Sequence, residues 1–172
     1  MPTHSNVPSI MTNEIQQMPL KIFISYSVHD LSVVDMVNAH LLPHAQTFFW
    51  NQNKAPGYDA WTTIHSWIDQ ADLVVVVLTG NTLSRALSVG NEVGYARKAG
   101  KRIIPLVAPE VPKGELGCLE GITYIRLDYN NPGNTIAQLQ HAVKAFAEQK
   151  ASSGKALAVL GLIALGLVAF SK

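Results

Sequence analysis

Apolar residues recur along this chain in two rhythms that take turns. Short apolar runs bounded by polar residues occupy 20–26 (LKIFISY), 47–50 (TFFW), 73–78 (LVVVVL), 103–107 (IIPLV) and 122–127, and read as strands. The unbroken run at 73–78 predicts a strand covered on both faces. Pro105 lacks an N–H, which places its strand near a sheet edge. Helical spacing fills the intervals. Leu31, Val34, Val37 and Leu41 follow a start signal at Ser27, with a carboxylate three residues on at Asp30, and Pro43 ends the segment. Asp59 can cap a helix carrying Trp61, Ile64, Trp67 and Ile68 on one stripe. Val89, Val93 and Ala96 form the inward stripe of the next, which Gly100 stops. A last helix starts at 132–135, with Ile136, Leu139, Val143 and Phe146 inward. The segments 51–57 and 108–121 are loops by composition, and no internal repeat is visible.

Strand and helix alternate five times, which predicts an α/β fold: a parallel sheet with helices on both faces. Ligands in such sheets sit beyond the carboxyl ends of the strands, near the point where strand order reverses. The residues just past those ends become site candidates. They are Tyr26 and Ser27, Asn51 with the Pro56-Gly57-Tyr58 loop, and Thr79-Gly80.

Composition changes this picture mainly at the ends. The chain has 172 residues and a net charge of +1, enough for one core and without the strong field that points to nucleic acid. Its single cysteine, Cys118, forms no internal disulfide, and no Cys/His cluster has metal-ligand spacing. A loose polar arm is expected at 1–19, the folded domain at 20–149 and a linker at 150–155. Residues 156–170 (ALAVLGLIALGLVAF) carry no polar side chain. As a helix this stretch spans roughly 22 Å, against about 30 Å for a bilayer's hydrocarbon core. Lys150 and Lys155 before it and Lys172 after it lessen that mismatch by snorkelling. Two readings stand: a membrane anchor and a self-association segment, both served by the small residues Ala158, Gly161, Ala164 and Gly166. With an anchor, the lysines favour a cytoplasmic main domain held at the inner membrane.

Candidate chemistry is sparse. There is no glycine-rich phosphate loop and no nucleophile elbow. His29 and Asp30 are adjacent and face apart on a helix. Cys118 has no neighbouring helper. Glu92 differs. No cation stands at the helical spacings beside it, and Ser88, four residues earlier, shares its face. That face is offset by one residue from the Val89/Val93/Ala96 stripe, so Glu92 is expected at the rim of the core, ionised yet partly desolvated. Such a carboxylate suits a developing cation on a sugar ring. A plain solvated helix glutamate is the other reading.

Three segments resemble one known family. The strand 21–26 (KIFISY), the Ala-Pro-Gly57-Tyr58-Asp59 loop and the segment 88–106 look like the first strand, the BB loop and the third helix with fourth strand of Toll/interleukin-1 receptor (TIR) domains. The match covers about 20–148 in order. It implies a flavodoxin-like three-layer sandwich on five parallel strands. Many bacterial TIR domains resembling this one cleave the nicotinamide–ribose bond of NAD+, often in anti-phage defence. The resemblance implies Glu92 as the catalytic residue, and Tyr26 and Ser27 lining the nicotinamide-ribose pocket. Gly57 and Tyr58 would belong to a mobile loop, and Trp61 could stack on a ring or serve the core. Many relatives carry tryptophan where this chain has Ser88, which leaves the acceptor open: water, the internal adenine or another nucleophile. NAD+ enters as substrate, with no cofactor or metal expected. The partners implied are further copies of the chain through TIR–TIR contacts and a downstream effector that senses an ADP-ribose-type signal. A non-enzymatic adaptor module and a nucleoside deoxyribosyltransferase remain the alternatives.

Overall fold

A computed structural model describes residues 19–43, 45–50, 59–83 and 86–169, the side chains of 83, 86 and 154–169 excepted. Five strands, β1 (Leu20–Ser25), β2 (Ala45–Phe49), β3 (Leu73–Leu78), β4 (Arg102–Val107) and β5 (Ile125–Arg126), form one parallel sheet in the order β2-β1-β3-β4-β5. Between them run α1 (Leu31–Leu41), α2 (Ala60–Gln70), the single turn α3 (Gly80–Leu83) and α4 (Ala86–Lys98), and α5 (Pro132–Ala169) follows β5. α2 packs on α4, and α1 packs on α5, which gives the three layers expected.

β3 is the clearest case of sequence dictating structure. It lies between β1 and β4, so both its edges are hydrogen-bonded and all six of its residues are buried. Val74 to Val77 are each fully buried, and β-branched residues suit that pleated, enclosed setting. β4 has β5 on its far side, but β5 pairs only with Leu106 and Val107. Pro105 therefore sits one step before that short ladder, next to the sheet's margin, as its missing N–H requires.

The helix ends follow local chemistry with one exception. Asp59 caps α2, its Oδ1 accepting from the Trp61 N–H at 3.1 Å. Gly100, at φ +67°, closes α4, and the following Lys101 N–H returns to the Ala96 carbonyl at 2.9 Å. The exception is Ser27. It makes no capping bond, and a single 3-10 turn, Val28–Asp30, precedes α1. Asp30 does not reach back to the cap either. It is buried, and it accepts from Thr79 Oγ1 at 2.7 Å, Asn81 Nδ2 at 2.8 Å and Thr82 Oγ1 at 3.4 Å. The expected capping box is thus replaced by a tie across the β1–β3 reversal point. A buried carboxylate needs several donors, and the loop after β3 supplies them.

α5 also departs from expectation. It passes through 150–155 without a break, where a linker was predicted. Lys150 Nζ meets Asp72 Oδ1 at 2.6 Å just before β3, so the helix leaves the sheet at its amino-terminal end. Among the described residues no helix is long and apolar enough to cross a membrane, and the side chains of the apolar stretch lie outside them.

Candidate active site

Strand order reverses beside β1, whose neighbours β2 and β3 lie on opposite sides. Five of the candidate residues come from there or from the helices above it. Tyr26 and Ser27 directly follow β1, Trp61 is in the first turn of α2, and Ser88 and Glu92 lie on α4. All five line one cavity of about 270 Å³, together with Trp50 and Ile64. Gly57 and Tyr58 lie outside the described residues, as does Asn51.

Glu92 is only 7% exposed, so it sits deeper than the rim that its spacing suggested. The cause is the crossing of α4 over β1, which brings the carboxylate over the strand's last residue. Ser25 Oγ, fully buried, donates to Glu92 Oε2 at 2.5 Å. Among the described residues no cation approaches. Burial raises the Glu92 pKa from 4.5 to about 7, with the Ser25 hydrogen bond pulling the other way. Burial thus brings this acid's titration into the neutral range. A cationic ligand in the cavity would favour the ionised form further.

The other walls are aromatic or hydroxylic. Tyr26 donates its phenol to the Trp50 carbonyl, and its ring meets Phe49 edge-on at 6.3 Å. Burial raises the Tyr26 pKa, with lesser contributions from Asp35 and Glu92, so this phenol stays protonated. Trp61 is 39% exposed. It stands at the cavity mouth beside His65, 5.8 Å between ring centroids, and not in the core. His65 in turn stacks on Tyr95 at 4.0 Å, which steadies the row. Ser88 is exposed at the same mouth. Ser27 Oγ is the one buried side-chain polar atom without a hydrogen-bond partner among the described residues. An orphan hydroxyl on a cavity wall is a ready ligand contact.

A larger, shallower cavity of about 680 Å³ lies elsewhere, bordered by Lys101, Arg102, Ile122 and Phe146. Size favours it; chemistry does not, since no carboxylate or orphan polar atom lines it. The smaller cavity holds the buried acid and sits beyond the carboxyl end of β1, where open α/β sheets take ligands.

Sequence reasoning missed Ser25 and Trp50. The signal for Ser25 was present: a lone hydroxyl at the end of the apolar run Ile22–Ile24.

A family model described as the TIR domain matches residues 22–143. Three solved structures illustrate the likeness in fold. The TIR domains of the activated Roq1 resistosome, which directly recognizes the pathogen effector XopQ, are 16% identical over 72% of this chain and 99% of theirs, with a TM-score of 0.55. The TIR domain of the Toll-related receptor TRR-2 from Hydra magnipapillata is 19% identical over 72% and 97%, at 0.55. A prokaryotic SEFIR domain is 18% identical over 71% and 96%, again at 0.55. No curated protein matches the chain.

Proposed function

We propose that this chain, which belongs to the TIR domain family, cleaves the bond between nicotinamide and ribose in NAD+. The observation that carries this reading is Glu92: among the described residues a buried acid without a cation, hydrogen-bonded by Ser25 alone and facing a cavity with an orphan hydroxyl. A structural glutamate would be solvated or paired, because leaving a lone carboxylate dry is costly.

The chemistry suits such a site. Nicotinamide departs with the electron pair of the glycosidic bond and leaves neutral, so no strong acid is needed. The barrier lies in the oxocarbenium-like ribose. A fixed carboxylate at that cation stabilises it in a place from which water is excluded. Water then adds to the ribosyl carbon and loses its proton, giving ADP-ribose; attack by the adenine of the same molecule gives a cyclic product. The cavity has room for part of the dinucleotide, and Trp61 offers a stacking face at its mouth.

Incubation of the full chain with NAD+, followed by chromatography, should yield free nicotinamide. Glu92→Gln should lower that rate by about 10²–10³ or more without loss of fold. A wild-type rate in that variant overturns the assignment of Glu92. No nicotinamide from the parent at any protein concentration favours the adaptor reading, and turnover of nucleosides with NAD+ untouched favours the transferase.

Two further parts of this reading concern context. Copies of the chain assemble through TIR–TIR contacts, and the apolar stretch at 156–170 raises local concentration by self-association or at the inner membrane, from the cytoplasmic side. The product serves as a signal to an effector in anti-phage defence, or NAD+ depletion itself is the outcome.

A further inference from the structure

We propose that Ser25 is the positioning residue of this site, a hydroxyl behind the acid that aims the Glu92 carboxylate at the cavity by donating to Oε2 and leaving Oε1 for the ligand. The proposal rests on the function assigned to Glu92 above, but its geometry stands apart from that assignment.

Ser25 closes β1, and its amide and carbonyl sit in the central ladder opposite Val76. It is fully buried and does not line the cavity, so it does not touch a ligand there. Its hydroxyl has one proton, and that proton goes to Glu92 at 2.5 Å. Glu92 has no other hydrogen bond among the described residues. A carboxylate on a flexible two-carbon stem turns freely unless something holds one oxygen. Here the holder is on β1, an interior strand hydrogen-bonded along both of its edges. A short bond from a hydroxyl to a charged oxygen is of the strong kind. It favours the ionised acid and so opposes the burial that favours the protonated one.

A bond that holds the acid in place and in charge has a signature that mere packing lacks. Ser25→Ala removes the donor and leaves little space behind. The midpoint of the rise of kcat/KM with pH should then move upward by about one to two units, the worth of a hydrogen bond to a charged group. Activity at pH 6 should fall about 10- to 100-fold, and much of it should return above pH 9. Ser25→Cys keeps a weak donor of similar size and should give a midpoint between the two. A titration of the Glu92 carboxyl carbon by NMR, assigned with Glu92→Gln, reads the same shift without substrate.

An unmoved midpoint in both Ser25 variants overturns the proposal, even if NAD+ is cleaved. A shifted NMR midpoint in a protein that does not cleave NAD+ upholds the Ser25–Glu92 coupling and overturns the enzymatic reading alone. Should Ser25→Ala fail to fold, the cysteine variant decides by the same measurement.

Discussion

At the scale of single residues, Glu92 sets stability against function. Its pKa is raised by folding, from 4.5 to about 7. The folded state then binds the proton more tightly than the unfolded chain does. This contribution is fully present below pH 4.5 and is lost as pH rises through about 7. The displacement corresponds to about 3 kcal/mol at alkaline pH. Glu92→Gln removes the titration while Ser25 keeps an amide oxygen to donate to. That variant should be more stable than the parent above pH 7, by up to about 3 kcal/mol, and nearly equal to it at pH 4.5. Urea unfolding at the two pH values measures this, and a pH-independent difference refutes the burial argument. Catalysis should run the other way. With the ionised acid as the working form, kcat/KM rises with pH and is half-maximal near 7.

At the scale of elements, the tie around Asp30 is the joint that sets the cavity wall. Ser27 and Val28 line the cavity, and the 3-10 turn they enter is held by Asp30 to Thr79, Asn81 and Thr82. Asp30→Ala leaves the buried Thr79 hydroxyl without its acceptor and takes one bond each from Asn81 and Thr82, and should cost about 2 kcal/mol in unfolding free energy, read as a lower urea midpoint. KM for NAD+ should rise as Ser27 loses its fixed place. This joint also marks where sequence reading ran short. The pattern Ser27…Asp30 has the spacing of a capping box, and spacing alone does not reveal that a later loop brings three better donors to the carboxylate. The same limit hid Ser25, whose partner lies 67 residues away. By contrast β3 was legible to the residue, because a strand enclosed on both faces must be apolar throughout. β5 was read at 122–127 and is paired only at Ile125–Arg126, since its length is set by the neighbour it meets and not by its own hydrophobicity. Trp61 sat on the predicted apolar stripe of α2, yet Ile64 and Ile68 alone are buried there. The stripe continues to the cavity mouth, and an exposed tryptophan at its end looks in sequence like one more core residue.

At the scale of the whole molecule, the cavity and the exit of α5 lie at opposite ends of the sheet. The cavity is beyond the carboxyl end of β1, and Lys150 pairs with Asp72 at the amino end of β3. Whatever the apolar stretch at 156–170 engages, it does so away from the acid. Removal of residues 153–172 should leave the urea unfolding midpoint of the domain unchanged, with only the helical signal of the deleted part of α5 lost. If the stretch concentrates the enzyme, the truncated chain should cleave NAD+ more slowly per mole at low protein concentration and recover at high concentration. Equal rates at every concentration refute that role.

The strand order carries a consequence for biosynthesis. β1 hydrogen-bonds to β2 and β3, and a ribosome delivers both after it. At about 5–20 residues per second, the segment LKIFIS waits some seconds as a nascent strand with two open edges and one wholly apolar face, Leu20, Ile22 and Ile24, until β3 emerges. A bare edge of that kind is a template for wrong pairing. A strand paired along both edges in the finished protein is thus one that needs protection while the chain is being made.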